Sequence, residues 1–204
     1  MLKLQDKFKC KTLGDVNYYL GLHIERDVEK RWMRVHQKKY LEALAANFGK
    51  SEGHVATPLP SGFKCVKGPA EESVGEEERR RFHSLVGSLM YAAVHTRPDA
   101  AFATGQLARV VQCPNGEQVA AGERVAKYLG QTATGAIALA KNPVLHGLTK
   151  HMKVKWHWVR SMVTAGEAEL HYVKTTAQPA DMMTKRLVEQ QHWKCCKLAG
   201  MALN

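Results

Sequence analysis

Histidines, cysteines and aspartates in this 204-residue chain are among the residue types with the capacity for metal ligation or nucleophilic chemistry. His146, His151 and His157 lie five and six residues apart, a spacing that does not place them on one helical face. Cys195 and Cys196 are adjacent in a helical pattern, and no resolving thiol lies nearby in the sequence. We interpret these side chains as structural or solvent-facing, so the sequence predicts no metal site.

The aspartates offer no local pattern for phosphoryl-transfer chemistry. They are scattered singly along the chain, with no Asp-Asp pair, at Asp6, Asp15, Asp27, Asp99 and Asp181. Two-metal catalysis needs carboxylates that converge on ions about 4 Å apart. Serine-hydrolase, Walker-loop, dinucleotide-binding and HExxH motifs are also absent from the sequence. We therefore assign no catalytic residue.

The charge of the chain points to polyanionic partners. Thirty Lys and Arg against 19 Asp and Glu give a net charge of +11, which favours phosphate neutralisation and counterion release. The alternative is that these cations are ordinary solvated surface charges. Trp156 and Trp158 suit base stacking or, as the favoured interpretation, core packing. The candidate nucleic-acid-binding residues are Tyr19, Lys38, Lys39, Lys150, Lys153, Lys155 and Arg160.

The N-terminal part predicts a β-hairpin followed by a short helix. Apolar residues alternate from Leu20 to Ile24 and again at Met33 and Val35, with a polar turn between the two runs. Helical spacing then runs from Tyr40 to Phe48 and stops at a glycine. Proline and glycine punctuate residues 50–75, which predicts mostly extended backbone.

Three helices are predicted in the centre of the chain, and a mixed segment follows. The spacing of apolar residues indicates a helix over 82–93, a second from Pro98 to Val111, and a third after an Asn115 cap. The C-terminal predictions are helices at Ala136–Lys141 and Val154–Val163, a strand at Glu167–Val173, and helices at Pro179 and His192. The predicted fold class is α+β.

Several strings of residues, taken in order, resemble the Pol polyprotein of copia-type LTR retrotransposons. The strings are Leu13-Gly14-Asp15, Tyr18-Tyr19-Leu20-Gly21-Leu22, Gln37-Lys38-Lys39-Tyr40, Leu85-Val86-Gly87-Ser88-Leu89-Met90-Tyr91, Thr96-Arg97-Pro98-Asp99, Ala136-Ile137-Ala138-Leu139, Thr149-Lys150-His151 and Gln178-Pro179-Ala180-Asp181. They cover nearly the full chain. The resemblance implies the end of a reverse transcriptase, a connection segment and the tail of a ribonuclease H.

That resemblance also implies what is missing. The family's Tyr-x-Asp-Asp metal-binding turn lies upstream of Met1, and most of the ribonuclease H domain is absent between Leu129 and Ala136. Thr132 and Lys153 stand where the family places carboxylates, so no catalytic acid is carried over and no cofactor is expected, although the parent enzymes use magnesium. The implied domains are 1–62 (end of reverse transcriptase), 63–77 (linker), 78–131 (connection-like helices) and 132–204 (incomplete ribonuclease H-like remnant).

Three functional hypotheses follow from the sequence and the resemblance. They are a catalytically inactive relic, a sequence-independent nucleic-acid-binding accessory fragment, and part of an RNA-directed DNA polymerase and ribonuclease H whose missing aspartates come from a separate chain. The expected partners are RNA, DNA or RNA–DNA hybrid. A membrane partner is not expected, since no apolar stretch approaches the ~20 residues that cross a bilayer. Five scattered cysteines and no signal peptide predict an intracellular protein.

Overall fold

The structure is a computed structural model that describes residues 15–30, 32–50, 53–66, 73–133, 136–138, 165–166 and 173–202. In chain order its elements are β1 (Tyr18–Tyr19), β2 (Leu22–Asp27), β3 (Trp32–His36), α1 (Lys38–Phe48), α2 (Glu76–His95), a 3₁₀ turn (Pro98–Ala100), α3 (Ala101–Ala108), α4 (Gly116–Gln131), β4 (Ala136–Ala138), a 3₁₀ turn (Thr175–Ala177), α5 (Asp181–Thr184), α6 (Glu189–Leu198) and β5 (Met201–Ala202). These elements confirm the α+β class.

The strands form one antiparallel sheet in the order β1-β2-β3-β4-β5. The predicted hairpin is present, with His23 opposite His36 and Ile24 opposite Val35. A two-residue turn joins β1 to β2, and Leu20 and Gly21 both have positive φ there, 47° and 80°. Such a turn matches the twist of the flanking strands.

The predicted helix at Ala136–Lys141 is wrong over its described residues. Ala136–Ala138 is instead the strand β4, and its Cα atoms lie opposite β3, with Ile137 beside Val35. The helix-like spacing of alanines is overridden because the free edge of the hairpin supplies backbone hydrogen-bond partners. β5 then pairs with β4, so the sheet joins residues from both ends of the chain.

The helical core is formed by α1 to α4. The sequence predicts each of these helices, but it groups α1 with the hairpin and only α2 to α4 as the central helices. Phe82, Leu85 and Leu89 of α2 are at most 1% exposed and belong to one cluster with buried residues of the other helices. Asn115 accepts a hydrogen bond from the Gln118 backbone while the Gln118 side chain accepts one from the Asn115 backbone, a capping box that fixes the start of α4. The helix opened by Pro98 begins as a 3₁₀ turn and ends at Ala108.

Two glycines allow α4 to approach its neighbours closely. A Cβ at Gly130 would lie 2.2 Å from the Cβ of Ala45 in α1, and a Cβ at Gly122 would lie 2.9 Å from Leu85 in α2. Glycine costs helix stability relative to alanine, by about 1 kcal/mol. Here that cost accompanies a close approach of the helices, which is tightest at Gly130, because an added Cβ would collide with the Cβ of Ala45 there.

The irregular segment 53–66 packs on the helical core. Val55 and Leu59 are 2% and 5% exposed, and the side-chain amide of Gln131 bonds the backbone of Gly53 and Val55. The domain boundaries at residues 62, 77 and 131 stay predictions. No helix in the described parts of the chain is long and apolar enough to cross a membrane.

The C-terminal segment forms a small second cluster. Met182, Cys195, Cys196 and Met201 are buried together, with Leu187 and Ala199 packed against them. The predicted helices near Pro179 and His192 are present as α5 and α6. The predicted helix at 154–163 lies outside the described residues, as does the strand at 167–173 except for Val173. The predicted ribonuclease H-like remnant stays a prediction.

Candidate functional site

The most polar buried site in the described structure surrounds Arg97 and Asp99. Arg97 has 0% and Asp99 2% of its surface exposed, and the pair flanks Pro98 at the start of the 3₁₀ turn. Arg97 Nε donates to Asp99 Oδ1 at 2.9 Å and Nη2 to Oδ2 at 2.6 Å. This bidentate geometry is the strong form of an arginine–carboxylate ion pair.

The remaining donors of Arg97 are used at the end of α4. Nη1 donates to the carbonyl oxygens of Leu129 and Thr132, at 3.3 and 2.9 Å, and Nη2 donates to Thr132 Oγ1 at 2.6 Å. The guanidinium has five N–H donors, and all five are therefore satisfied. It also lies over the Tyr128 ring, 5.4 Å from the centroid.

Tyr128 and His192 extend this arrangement to the C-terminal helix α6. The Tyr128 hydroxyl donates to Asp99 Oδ2 at 2.7 Å, and its oxygen lies 2.9 Å from His192 Nε2. Since the single hydroxyl proton is directed at Asp99, His192 is the donor of the second bond. We call Arg97, Asp99, Tyr128, Thr132 and His192 the buried network.

The ionisation of these groups follows from burial and from each other. Burial alone would raise the pKa of Asp99, but the adjacent Arg97 guanidinium outweighs it and the pKa is lowered. Burial lowers the pKa of His192; Asp99 opposes this shift and Arg97 adds to it. Burial raises the pKa of Cys196 to about 12, with Asp99 adding to the shift. The network therefore holds an ionised pair beside a neutral imidazole and a neutral thiol at pH 7.

Asp99, His192 and Cys196 form the one group of three potential metal ligands that converges within the described residues, with ligand atoms within 4.8 Å of one another. These residues do not fit a cation. Both oxygens of Asp99 are held by Arg97, Cys196 keeps its proton, and the Arg97 charge faces the same space. Magnesium prefers several oxygen ligands, which this group does not supply. We therefore interpret the buried network as a structural element, an Arg97–Asp99 ion pair with its hydrogen-bond partners.

The sequence-predicted binding residues in the N-terminal part lie at the surface. Tyr19 is 60% exposed in β1. Lys38 and Lys39 lie in the first turn of α1, both exposed, and Lys38 Nζ is 3.9 Å from Glu42 Oε1. Within the described residues the structure thus brings Lys38 and Lys39 together, while Tyr19 lies two strands away. Lys150, Lys153, Lys155 and Arg160 lie outside the described residues.

Sequence reasoning missed a row of rings across the hairpin. Tyr18 is paired with His23 and His23 with His36, so the three side chains project from one face of the sheet. The His23 and His36 rings stack at 5.1 Å, and the edge of Tyr18 meets His23 at 4.9 Å. Tyr19 pairs with Leu22 and projects from the other face. The hairpin register is the signal that would have placed these rings together.

The row of rings extends to the first turn of α1, which carries two lysines. The His36 Nδ1 atom accepts a hydrogen bond from the Lys38 backbone at 3.3 Å, so the ring row ends at the two lysines. Glu25 approaches His36 and Arg34 at 3.4 and 3.8 Å and adds one negative charge to this face. We call Tyr18, His23, His36, Lys38 and Lys39 the hairpin surface.

Fold and site together define an α+β protein with a hairpin-centred sheet, a helical core and a buried ion-pair network. No family model and no solved structure matches it. The retrovirus-related Pol polyprotein from transposon TNT 1-94 of Nicotiana tabacum is 26% identical over 300 residues, covering 98% of this chain and 23% of that protein. The corresponding protein from transposon RE2 of Arabidopsis thaliana is 30% identical over 143 residues, 70% of this chain and 9% of that protein.

An uncharacterized mitochondrial protein of Arabidopsis thaliana is 27% identical over 147 residues, 72% of this chain and 58% of that protein. The chain is related to the Pol polyproteins of copia-type retrotransposons. It spans about a quarter of the tobacco relative. The aligned stretch of 300 residues exceeds the 204 residues of the whole chain, so part of the aligned region of the relative has no counterpart here.

Proposed function

We propose that this Pol-derived chain has no catalytic activity of its own. The burial and the hydrogen bonds of Thr132 are the observation that supports this proposal most directly. Resemblance to the family places a catalytic aspartate at this position, but Thr132 is 3% exposed, accepts a hydrogen bond from Arg97 and donates one to the Tyr128 carbonyl at 2.7 Å. A buried guanidinium in contact with this position repels a divalent cation.

Three of the four described aspartates support the same conclusion, and the fourth, Asp15, is exposed near the start of the described part of the chain. Asp27 and Asp181 are ion-paired with lysines, Asp27 with Lys30 at 3.6 Å and Asp181 with Lys185 at 3.0 Å. Asp99 is held by the guanidinium of the buried network. Two-metal chemistry requires several carboxylates that bind the same pair of metal ions. Each of these three carboxylates is instead ion-paired with a lysine or an arginine.

The second candidate function is sequence-independent nucleic-acid binding by the hairpin surface. Tyr18 is 59% exposed at one end of the ring row, and Lys38 and Lys39 lie at the other. Aromatic rings stack on any base, and lysines neutralise phosphates without reading sequence. The net charge of +11 adds long-range attraction for a polyanion.

The experiment that tests both candidates is titration of the full chain with a labelled RNA–DNA hybrid at low and moderate salt, with a magnesium-dependent cleavage assay in parallel. Binding without cleavage supports the accessory function, and the absence of both leaves the inactive relic. Cleavage that a chelator abolishes would overturn the proposal. Cleavage by a mixture of this chain with an intact Pol polyprotein that exceeds the cleavage by the polyprotein alone would instead support the hypothesis that a separate chain supplies the aspartates.

Substitutions on the hairpin surface test whether nucleic acid binds there. Lys38→Gln and Lys39→Gln should each weaken binding and lower the slope of log K against log salt by about 1. The matched control is Lys30→Gln at the β2–β3 turn, where the lysine is 77% exposed and lies outside the hairpin surface. Equal losses in all three variants would mean that net charge, and not this surface, holds the nucleic acid.

A further inference from the structure

An open groove lies between the segment 53–66, helix α3 and the loop after α5. Its volume is about 340 Å³. Phe63 and Cys65 line one side, Phe102 and Gln106 line the α3 side, and Arg186 comes from the C-terminal segment. The groove is thus built from three separated parts of the sequence, and the hairpin surface contributes nothing to it.

The groove combines aromatic walls with positive charge. Phe63 and Phe102 are half-buried, so each presents part of its ring to the opening. Lys64 and Arg186 are exposed at the lining, and no carboxylate belongs to the described residues that form it. Arg186 donates a hydrogen bond from Nη1 to the Phe63 backbone carbonyl, which ties the guanidinium to the segment 53–66 at the groove.

We propose that this groove binds a small planar anion, an aromatic ring that carries one phosphate, of the size of a nucleoside monophosphate. The volume lies at the lower end of the ~300–1,000 Å³ range of small-molecule pockets, which matches one ring system with its anionic group. The ring packs between Phe63 and Phe102, and the phosphate meets Arg186 and Lys64. This inference is independent of nucleic-acid binding at the hairpin surface.

Cys65 provides a direct reporter because its thiol lines the groove and donates to the Gln106 carbonyl at 3.2 Å. Alkylation of the full chain by N-ethylmaleimide, followed by peptide mass spectrometry, measures its accessibility. Adenosine 5′-monophosphate should slow modification of Cys65 about tenfold at saturation, since the bound ring excludes the reagent. Cys113, half-buried and outside the lining, is the internal control and should react at an unchanged rate.

Two further probes test each half of the ligand. Adenosine lacks the anion and inorganic phosphate lacks the ring, so each should protect Cys65 about tenfold less effectively than the monophosphate at equal concentration. Protection by adenosine equal to that by the monophosphate would overturn the proposed anion recognition. Absence of protection by the monophosphate would overturn the site itself.

Substitutions test whether the two cationic side chains of the groove bind the phosphate. Arg186→Gln should weaken protection by the monophosphate about tenfold, and Lys64→Gln should weaken it by a smaller factor. Lys64→Gln also serves if Arg186→Gln fails to fold, because Lys64 is exposed and no hydrogen bond of the fold depends on its charge in the described structure. Arg80→Gln, at an exposed position of α2 outside the lining, is the matched control. Equal loss in the control, or no loss in both groove variants, would overturn the assignment.

Discussion

The buried network and the hairpin surface hold similar side chains in opposite states. In the network an arginine, a carboxylate, a tyrosine and a histidine are almost fully buried, and every guanidinium donor has a partner. On the hairpin surface, tyrosine, histidine and lysine side chains lie at least partly exposed, with their polar groups directed at solvent or at short-range ion pairs. Side chains of the same types can therefore contact a partner on the hairpin surface, where they are exposed, whereas in the buried network their hydrogen-bonding capacity is used within the fold.

Removing the carboxylate of the network should have the largest effect. Asp99→Asn leaves the Arg97 charge buried without its counter-ion, and breaking a buried pair in this way costs about 3–5 kcal/mol of unfolding free energy. Urea denaturation of the full chain measures the change. The comparison is Asp27→Asn on the hairpin, where the carboxylate pairs with an exposed lysine and the expected cost is below about 1 kcal/mol.

The two substitutions together test whether burial makes the Arg97–Asp99 pair stronger than a surface ion pair. Equal destabilisation by the two substitutions would show that the network contributes no more than a surface ion pair. A loss of cooperativity in Asp99→Asn alone would show that the network joins α6 to the helical core, since Tyr128 is hydrogen-bonded to both Asp99 and His192.

The next largest effect is expected where two helices touch through glycine. Gly130→Ala places a methyl group 2.2 Å from the Cβ of Ala45, and overpacking of this kind costs about 1–3 kcal/mol. Gly87→Ala is the matched control, because it lies inside α2 with open space around a new Cβ. That substitution should stabilise the chain by about 0.5–1 kcal/mol. The denaturant midpoints of both variants measure these changes. A Gly130→Ala protein as stable as the parent would mean that α1 and α4 can move apart at no cost in unfolding free energy.

The two regions also differ in how far the sequence predicts them. Alternation of apolar residues predicts the hairpin, and the Asn115 cap predicts the start of α4, because both are local patterns. The network escapes such reasoning, since it joins residues 97–99 to Thr132 and His192, which only packing brings together. In the sequence alone, Asp99 is therefore an isolated aspartate. The arginine two residues before it, within an otherwise apolar region, was the available signal.

The strand β4 shows a second limit of local pattern. An alanine-rich segment has high helix propensity, but pairing with β3 on one side and β5 on the other makes it a strand. The ring row on the hairpin was missed for a related reason: strand spacing predicts which face a residue takes, but cross-strand pairing of Tyr18, His23 and His36 depends on register.

The buried histidine should make stability depend on pH in mildly acidic solution. The pKa of His192 is lowered in the folded chain, so the unfolded chain binds the proton first, near its ordinary value of about 6.5. Stability is therefore full above that pH and decreases as the pH falls through it towards the lower folded pKa. The lowered pKa of Asp99 acts at more acidic pH, below its unfolded value of about 3.9.

Urea midpoints measured from pH 8 to 5, a range of about three units around the histidine value, test this expectation. His192→Gln keeps a side-chain donor for the Tyr128 oxygen but removes the titration, so its profile should be flatter than that of the parent chain. His83→Gln removes an exposed histidine of α2 and is the matched control. A steeper or unchanged profile in His192→Gln would show that the acid sensitivity arises elsewhere.

The smallest effect is expected on the hairpin, at the β1–β2 turn. Leu20 has a φ of 47° and is 69% exposed, so it adopts a left-handed backbone without gaining burial. Leu20→Asn creates an Asn-Gly turn, which accepts positive φ more readily, and should stabilise the chain by up to about 1 kcal/mol. The Tyr91 hydroxyl donates to the backbone carbonyl of residue 20, a bond that the substitution preserves.

Gly21→Ala should act in the opposite direction to Leu20→Asn, because its Cβ would lie 2.9 Å from the Tyr91 hydroxyl at a φ of 80°. If denaturation shows Leu20→Asn to be destabilising, the exposed leucine must contact something beyond the described residues, and the hairpin surface would be less free than its exposure indicates.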